Sequence, residues 1–143
     1  MKKFTTLLVS LMLAATLSAC TGSGDLGAGK TGKSFTVSNT SYNKVWAASL
    51  SAVKESRGTQ SLEIEKNLSI SKEDKASGVI EASTGMSMLS WGEVVGVFIT
   101  PAHDAPNYKI EVESRSKLQT NVFSNNWEDE IIASIKKKLA AQH

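Results

Sequence analysis

One cysteine, two prolines and two histidines are all that these residue types contribute to the 143-residue chain. A lone cysteine, Cys20, excludes an internal disulfide, and its presence in an oxidising compartment calls for another explanation. The histidines are His103 and the C-terminal His143, which with a single thiol leave too few ligands for a metal site. No apolar run reaches the ~20 residues that carry a helix across a bilayer. The length suits one domain, since a single core usually occupies roughly 100 to 150 residues.

What is present begins with Lys2 and Lys3, then Leu, Val, Met and Ala from Phe4 to Leu17 with small hydroxyl residues interspersed. This is the charge and hydropathy pattern of a secretory leader. The segment Leu17-Ser18-Ala19-Cys20 resembles the lipobox of bacterial lipoproteins. The resemblance implies a signal peptide over residues 1–19 and a diacylglycerol-bearing Cys20, which gives the lone thiol a role. It also implies the outer membrane as the address, because Thr21 stands where inner-membrane lipoproteins carry Asp. Several acyl chains, each contributing about 0.8 kcal/mol per buried methylene, make such an anchor effectively permanent.

Cleavage takes Lys2 and Lys3 from the 16 basic residues and none from the 14 acidic ones, so the mature chain is formally neutral. No basic surplus remains to hold a phosphate backbone, and nucleic acid is not an expected partner.

Thr21 to Lys33 is Gly, Ser, Thr and Lys with one large apolar residue, Leu26, and reads as a tether that stays unfolded. Fully extended, it reaches about 45 Å. Within it, Gly24-Asp25-Leu26-Gly27-Ala28-Gly29-Lys30-Thr31 matches the P-loop pattern. A P-loop works because a buried strand and a helix hold its amides on the phosphates, and a tether supplies neither. No nucleotide or other cofactor is expected. Ser69-Ile70-Ser71-Lys72, Ser114-Arg115-Ser116-Lys117 and Lys30-Thr31-Gly32 match fragments of the penicillin-recognising pattern, but in reversed order and in strand or loop contexts. His103-Asp104, between Pro101 and Pro106, reads as a solvated loop pair without a nucleophile. Lys136-Lys137-Lys138 closes a helix and complements its dipole. No catalytic residue is assigned.

Residues 34–143 carry the pattern of an α+β domain. Ser34 to Ser38 alternates as a short strand, and Asn39-Thr40-Ser41 supplies helix N-caps. Tyr42, Val45, Trp46, Ser49, Leu50 and Val53 share one helical face, with a stop near Ser56-Arg57-Gly58. Leu62, Ile64, Leu68 and Ile70 alternate with polar residues as one half-buried strand or two broken at Lys66-Asn67, followed by a polar turn from Ser71 to Ser77. Strands are predicted over 78–82, 94–99 and 108–113, the middle one central, with Gly96 marking a bend or close packing. Pro101 to Pro106 forms a hairpin loop. A last helix starts near Asn125-Asn126 with the stripe Trp127, Ile131, Ile135 and Leu139. Two one-faced helices suit one face of an antiparallel sheet, in the order β-α-β-β-β-β-α.

Tyr42 to Leu50, Ser77-Gly78-Val79-Ile80, and Asn126-Trp127 leading into Ile131, Ile135 and Leu139 resemble a widespread group of small bacterial lipoproteins. Their domain is similar to the helix-grip modules in a lipoprotein component of the β-barrel assembly machinery. The resemblance covers roughly Phe35 to Leu139 and implies a helix-grip-like fold.

Met86, Met88, Leu89 and Trp91 lie between Gly85 and Gly92, where the strand pattern is weakest. As a strand, alternate residues join the core; as a loop, they expose an apolar patch suited to a partner. The functional expectation is a non-catalytic, membrane-anchored envelope module, bound to lipid through Cys20 and through these four residues to an envelope partner. The alternative is a small periplasmic hydrolase or nucleotide-binding accessory protein.

Overall fold

The computed structural model describes residues 26–29, 31–58, 67–86, 91–102, 106–117 and 127–142. Five strands, β1 (Lys33–Val37), β2 (Ser69–Asp74), β3 (Val79–Ser83), β4 (Glu93–Pro101) and β5 (Tyr108–Ser116), and two helices, α1 (Tyr42–Glu55) and α2 (Trp127–Ala140), follow one another as β-α-β-β-β-β-α. The strands form one antiparallel sheet in the order β1-β5-β4-β3-β2. This is an α+β, helix-grip-like fold with both helices on one sheet face.

Alternation sets the two faces. Val95, Val97 and Ile99 of β4, Ile110 and Val112 of β5, and Ile80 and Ala82 of β3 point to the helices and are buried. The helices answer with Val45, Trp46, Ala48, Ala52 and Val53 from α1 and Trp127, Ile131, Ile135 and Leu139 from α2. Small residues at Ala48, Ser49 and Ala52 let α2 come close to α1.

Both helix ends are chemically specified. Ser41 is the N-cap of α1, accepting from the Lys44 amide, and Gly58 beyond the C-terminus takes φ +68°. The first turn of α2 carries Glu128, Asp129 and Glu130, and each binds a different element. Glu128 accepts from the amide and hydroxyl of Ser114, Asp129 pairs with Lys33 at 2.6 Å, and Glu130 accepts from the amides of Arg57 and Gly58. At the other end Lys138 pairs with Glu55 at 2.6 Å, while Lys136 lies over the Phe35 ring.

Two boundaries depart from the sequence reading. The stretch from Ser71 was expected to be a polar turn, yet Ser69–Asp74 is one strand and the turn is confined to residues 75–78. β2 is an edge strand with a register shift between Ile70 and Lys72, so its polar side chains face solvent and leave no apolar alternation to read. The second departure is at the N-terminus. The tether was expected to remain unfolded through Lys33, but β1 begins at Lys33 and residues 26–29 lie against the sheet. The expected strand residues Leu62 and Ile64 lie outside the described residues, whereas Leu68 is buried in the core.

Candidate functional site

Beyond the ends of β3 and β4 the two strands stay paired for one more step. The Thr84 amide donates to the Glu93 carbonyl at 2.9 Å, and the Glu93 amide donates to the Thr84 hydroxyl at 2.8 Å. Gly92 then takes φ +92°, and a Cβ there would sit 2.8 Å from the Thr84 carbonyl oxygen and 3.3 Å from that of Gly85. Only glycine fits this approach. Met86 and Trp91 are the next residue out on each side, 73% and 55% exposed, so neither joins the core. The other two tryptophans, Trp46 and Trp127, are 5% and 0% exposed. Met88 and Leu89 lie outside the described residues. Lys117 crosses this end of the strand pair, its amide bonded to the Gly92 carbonyl and its Nζ 3.3 Å from the Thr84 carbonyl.

A second feature was not anticipated. The sheet face away from the helices carries Gly96 and Phe98 on β4 opposite Glu113 and Glu111 on β5. The Phe98 ring lies over Gly96, where a Cβ would meet it at 2.8 Å, and Leu26 packs alongside. From Leu26 the chain crosses the face as a strap. The Gly27 amide donates to Glu113 at 3.0 Å, the Gly29 amide to Glu111, and the Thr31 hydroxyl to Glu113 at 2.9 Å. Arg115 completes the shell of Glu113 at 2.6 Å, and Lys109 that of Glu111 at 3.1 Å. Both carboxylates are thereby buried, Glu113 fully. Burial pushes the Glu113 carboxyl up, but the Gly27, Thr31 and Arg115 contacts outweigh it and hold the group below its usual range.

This arrangement explains the P-loop match. Gly27 and Gly29 do present backbone N–H groups to anionic oxygens, but the anions are two glutamates of the same chain. The segment leads into a strand rather than a helix, so it lacks the dipole that a phosphate site uses. Of the penicillin-recognising fragments, Ser69 and Ser114 stand on β2 and β5, which β3 and β4 separate, and Ser114 is engaged by Glu128. His103 and Asp104 lie outside the described residues, as do Cys20 and Lys30.

A third acid, Glu93, is buried on the helix side and accepts from the Trp127 indole at 2.9 Å. Among the described residues no group of three His, Cys, Asp or Glu side chains could hold a metal, and no helix is long and apolar enough to cross a membrane. A shallow, open depression is lined by Thr36, Thr100, Pro101, Ala102 and Lys109. It converges on no nucleophile and base together.

No family model and no curated protein matches the chain. Among solved structures it is similar to the crystal structure of Ara h 8.0201, at 12% identity and a TM-score of 0.44, over 78% of this chain and 99% of that one. The strand order and helix placement above define the fold on their own.

Proposed function

We propose that this chain is a lipid-anchored, non-catalytic binding module of the bacterial cell envelope, attached to the outer membrane through Cys20 and contacting its partner through Met86, Met88, Leu89 and Trp91. The observation that carries the reading is the exposure of Met86 and Trp91, two residues beyond the Thr84–Glu93 pairing on either side. Large apolar side chains left in water, such as these two, are characteristic of a surface that another body covers. The lipobox-like Leu17-Ser18-Ala19-Cys20 and the neutral mature charge support an envelope address and argue against nucleic acid. The likeness to small bacterial lipoproteins, and to the helix-grip modules of the β-barrel assembly machinery, fits the same reading.

The alternative, a hydrolase or nucleotide-binding accessory protein, is weaker. The amides a phosphate would need at Gly27 and Gly29 are held by Glu113 and Glu111.

The test is mass spectrometry of the mature chain together with crosslinking from intact envelopes. The expected results are an acylated Cys20, an uncleaved or soluble precursor for Cys20→Ser, and crosslinks through position 91 that Trp91→Ser abolishes. A free thiol at Cys20 refutes the anchor, and unchanged crosslinking in Trp91→Ser refutes the contact surface.

A further inference from the structure

We infer that the strap is an acid-released latch: when Glu111 and Glu113 take up protons it leaves the outer face of the sheet as a unit, turning about Gly32 and uncovering Phe98, while the sheet and both helices stay folded. The inference goes beyond the binding reading and holds whether or not Cys20 is acylated.

The geometry separates the strap from the domain it lies on. Among the described residues its polar ties all end on those two carboxylates, the Gly27 amide and Thr31 hydroxyl on Glu113 and the Gly29 amide on Glu111. Pairing of β1 with β5 begins only at Lys33, so no ladder hydrogen bond holds the strap. Its apolar contact is equally local. Leu26 packs at Gly96 beside the Phe98 ring, on the face opposite the helices. Phe98 is buried, yet it stands outside the core cluster between sheet and helices, so release of the strap takes nothing from that core. Gly32 joins strap to strand at a point where a Cβ would sit 2.6 Å from the Val112 carbonyl oxygen. Glycine permits the close approach and leaves the joint free to turn.

The chemistry makes the proton the release signal. Hydrogen bonds to an ionised carboxylate are roughly twice as strong as those to a neutral group. Gly27 and Gly29 give up more conformational freedom on docking than any other residue type would, so the strap stays down only while those acceptors are charged. Burial pushes the Glu113 carboxyl up, and the Gly27, Thr31 and Arg115 contacts outweigh it and hold the group low. Arg115 sits on the same strand and stays with Glu113 when the strap leaves, so opening gives back the share due to Gly27 and Thr31. The open form therefore binds the proton more tightly than the closed one, and falling pH drives opening.

The neighbouring groups do not oppose this. The described strap residues are uncharged, as are Gly96 and Phe98 on β4 and Ser34 of β1 opposite Glu111. On β3, Glu81 lies across Gly96 and is engaged by Lys72 of β2 at 3.9 Å, while Asp74 accepts from the Ser77 amide at its own turn. Lys109 and Arg115 balance the two glutamates when the strap is closed. Protonation leaves them as a cationic pair beside a bared aromatic ring, so the outer face changes its character as well as its cover.

The test is amide NMR of the isotope-labelled full-length protein, titrated from neutral pH down through the carboxylate range. The Gly27, Gly29 and Thr31 signals should move together to unfolded-chain positions below pH 4.5, the ordinary value for Glu113. Proximity signals between the Leu26 methyls and the Phe98 ring should vanish in the same step, while the amides of Val95, Val97, Val112 and Ile135 keep their native positions. In Glu111→Gln combined with Glu113→Gln, the strap signals should stand at unfolded positions already at neutral pH. Strap and core signals lost in one transition overturn the inference, as do strap signals that stay native throughout the titration or in a folded double variant. Should the double variant fail to fold, the wild-type titration decides alone.

Discussion

The Trp127 indole donates to the Glu93 carboxylate at 2.9 Å inside the protein, joining the first residue of α2 to the first residue of β4. Trp127 is fully buried and Glu93 nearly so, which makes this contact both a packing element and a polar one. Trp127→Ala should cost about 3–5 kcal/mol, the range for removing a buried aromatic. Trp127→Phe keeps most of the volume but takes away the N–H, and should cost about 1–3 kcal/mol. Urea denaturation of a soluble Cys20→Ser chain measures both, and an unchanged midpoint in Trp127→Phe would mean that the hydrogen bond contributes nothing.

The strap predicts a specific acid sensitivity. Glu113 in the folded chain titrates below its ordinary value of 4.5, so the folded form binds that proton less tightly than the unfolded one. The stabilisation is then complete above about pH 4.5 and is lost as the pH falls through the lowered folded value. Glu113→Gln should flatten this part of the acid transition. Amide exchange at Gly27 and Gly29 reads the strap directly: protection at neutral pH should fall in Glu113→Gln, and unchanged protection would show that the carboxylate does not hold the segment.

Glu130 accepts from two amides just past the C-terminus of α1, so Glu130→Ala leaves both without that partner. A loss of about 1–2 kcal/mol is expected, with little effect from replacing the neighbouring exposed Lys137. Thermal melting of the two variants side by side checks the contrast.

Ser49 is fully buried on α1, and its hydroxyl has no partner among the described residues. Ser49→Ala removes an unmet polar group and improves helix propensity, so a gain of up to about 1 kcal/mol is expected. A clear destabilisation in urea would indicate that the hydroxyl is satisfied by water.

Met86→Ser with Trp91→Ser should leave stability within about 0.5 kcal/mol of the parent, as expected of exposed positions. A sharp drop in melting temperature would show that these two side chains are part of the folding core.

Several elements were legible because their signals are local. The face formed by Val45, Trp46, Ser49 and Val53 repeats at helical spacing, and β4 and β5 alternate about buried valines and isoleucines. The close packing at Gly96 was legible too, although its cause, the Phe98 ring lying across it, was not. β2 escaped because an edge strand needs few apolar residues, so Lys72, Glu73 and Asp74 read as a turn. The strap escaped for a deeper reason. Its order comes from backbone amides meeting carboxylates 82 to 86 residues away, and neither partner announces this in composition. A Gly-rich run looks like a linker, and Glu111 and Glu113 look like the solvated side of an alternating strand. Met86 and Trp91 could be located at a break between strands, but alternation alone could not decide whether their side chains were buried.

The strap and β1 also fix an order of events when the protein is made. Both lie near the N-terminus, and both find their partners on β5, the last strand to be synthesised. A chain emerging N-terminus first therefore carries β1 as a bare edge, with nothing to receive the Gly27 and Gly29 amides until about four-fifths of it has been produced. Closure of the sheet is a late, non-local step, and the amides of Gly27 and Gly29 meet their carboxylates only once it is complete.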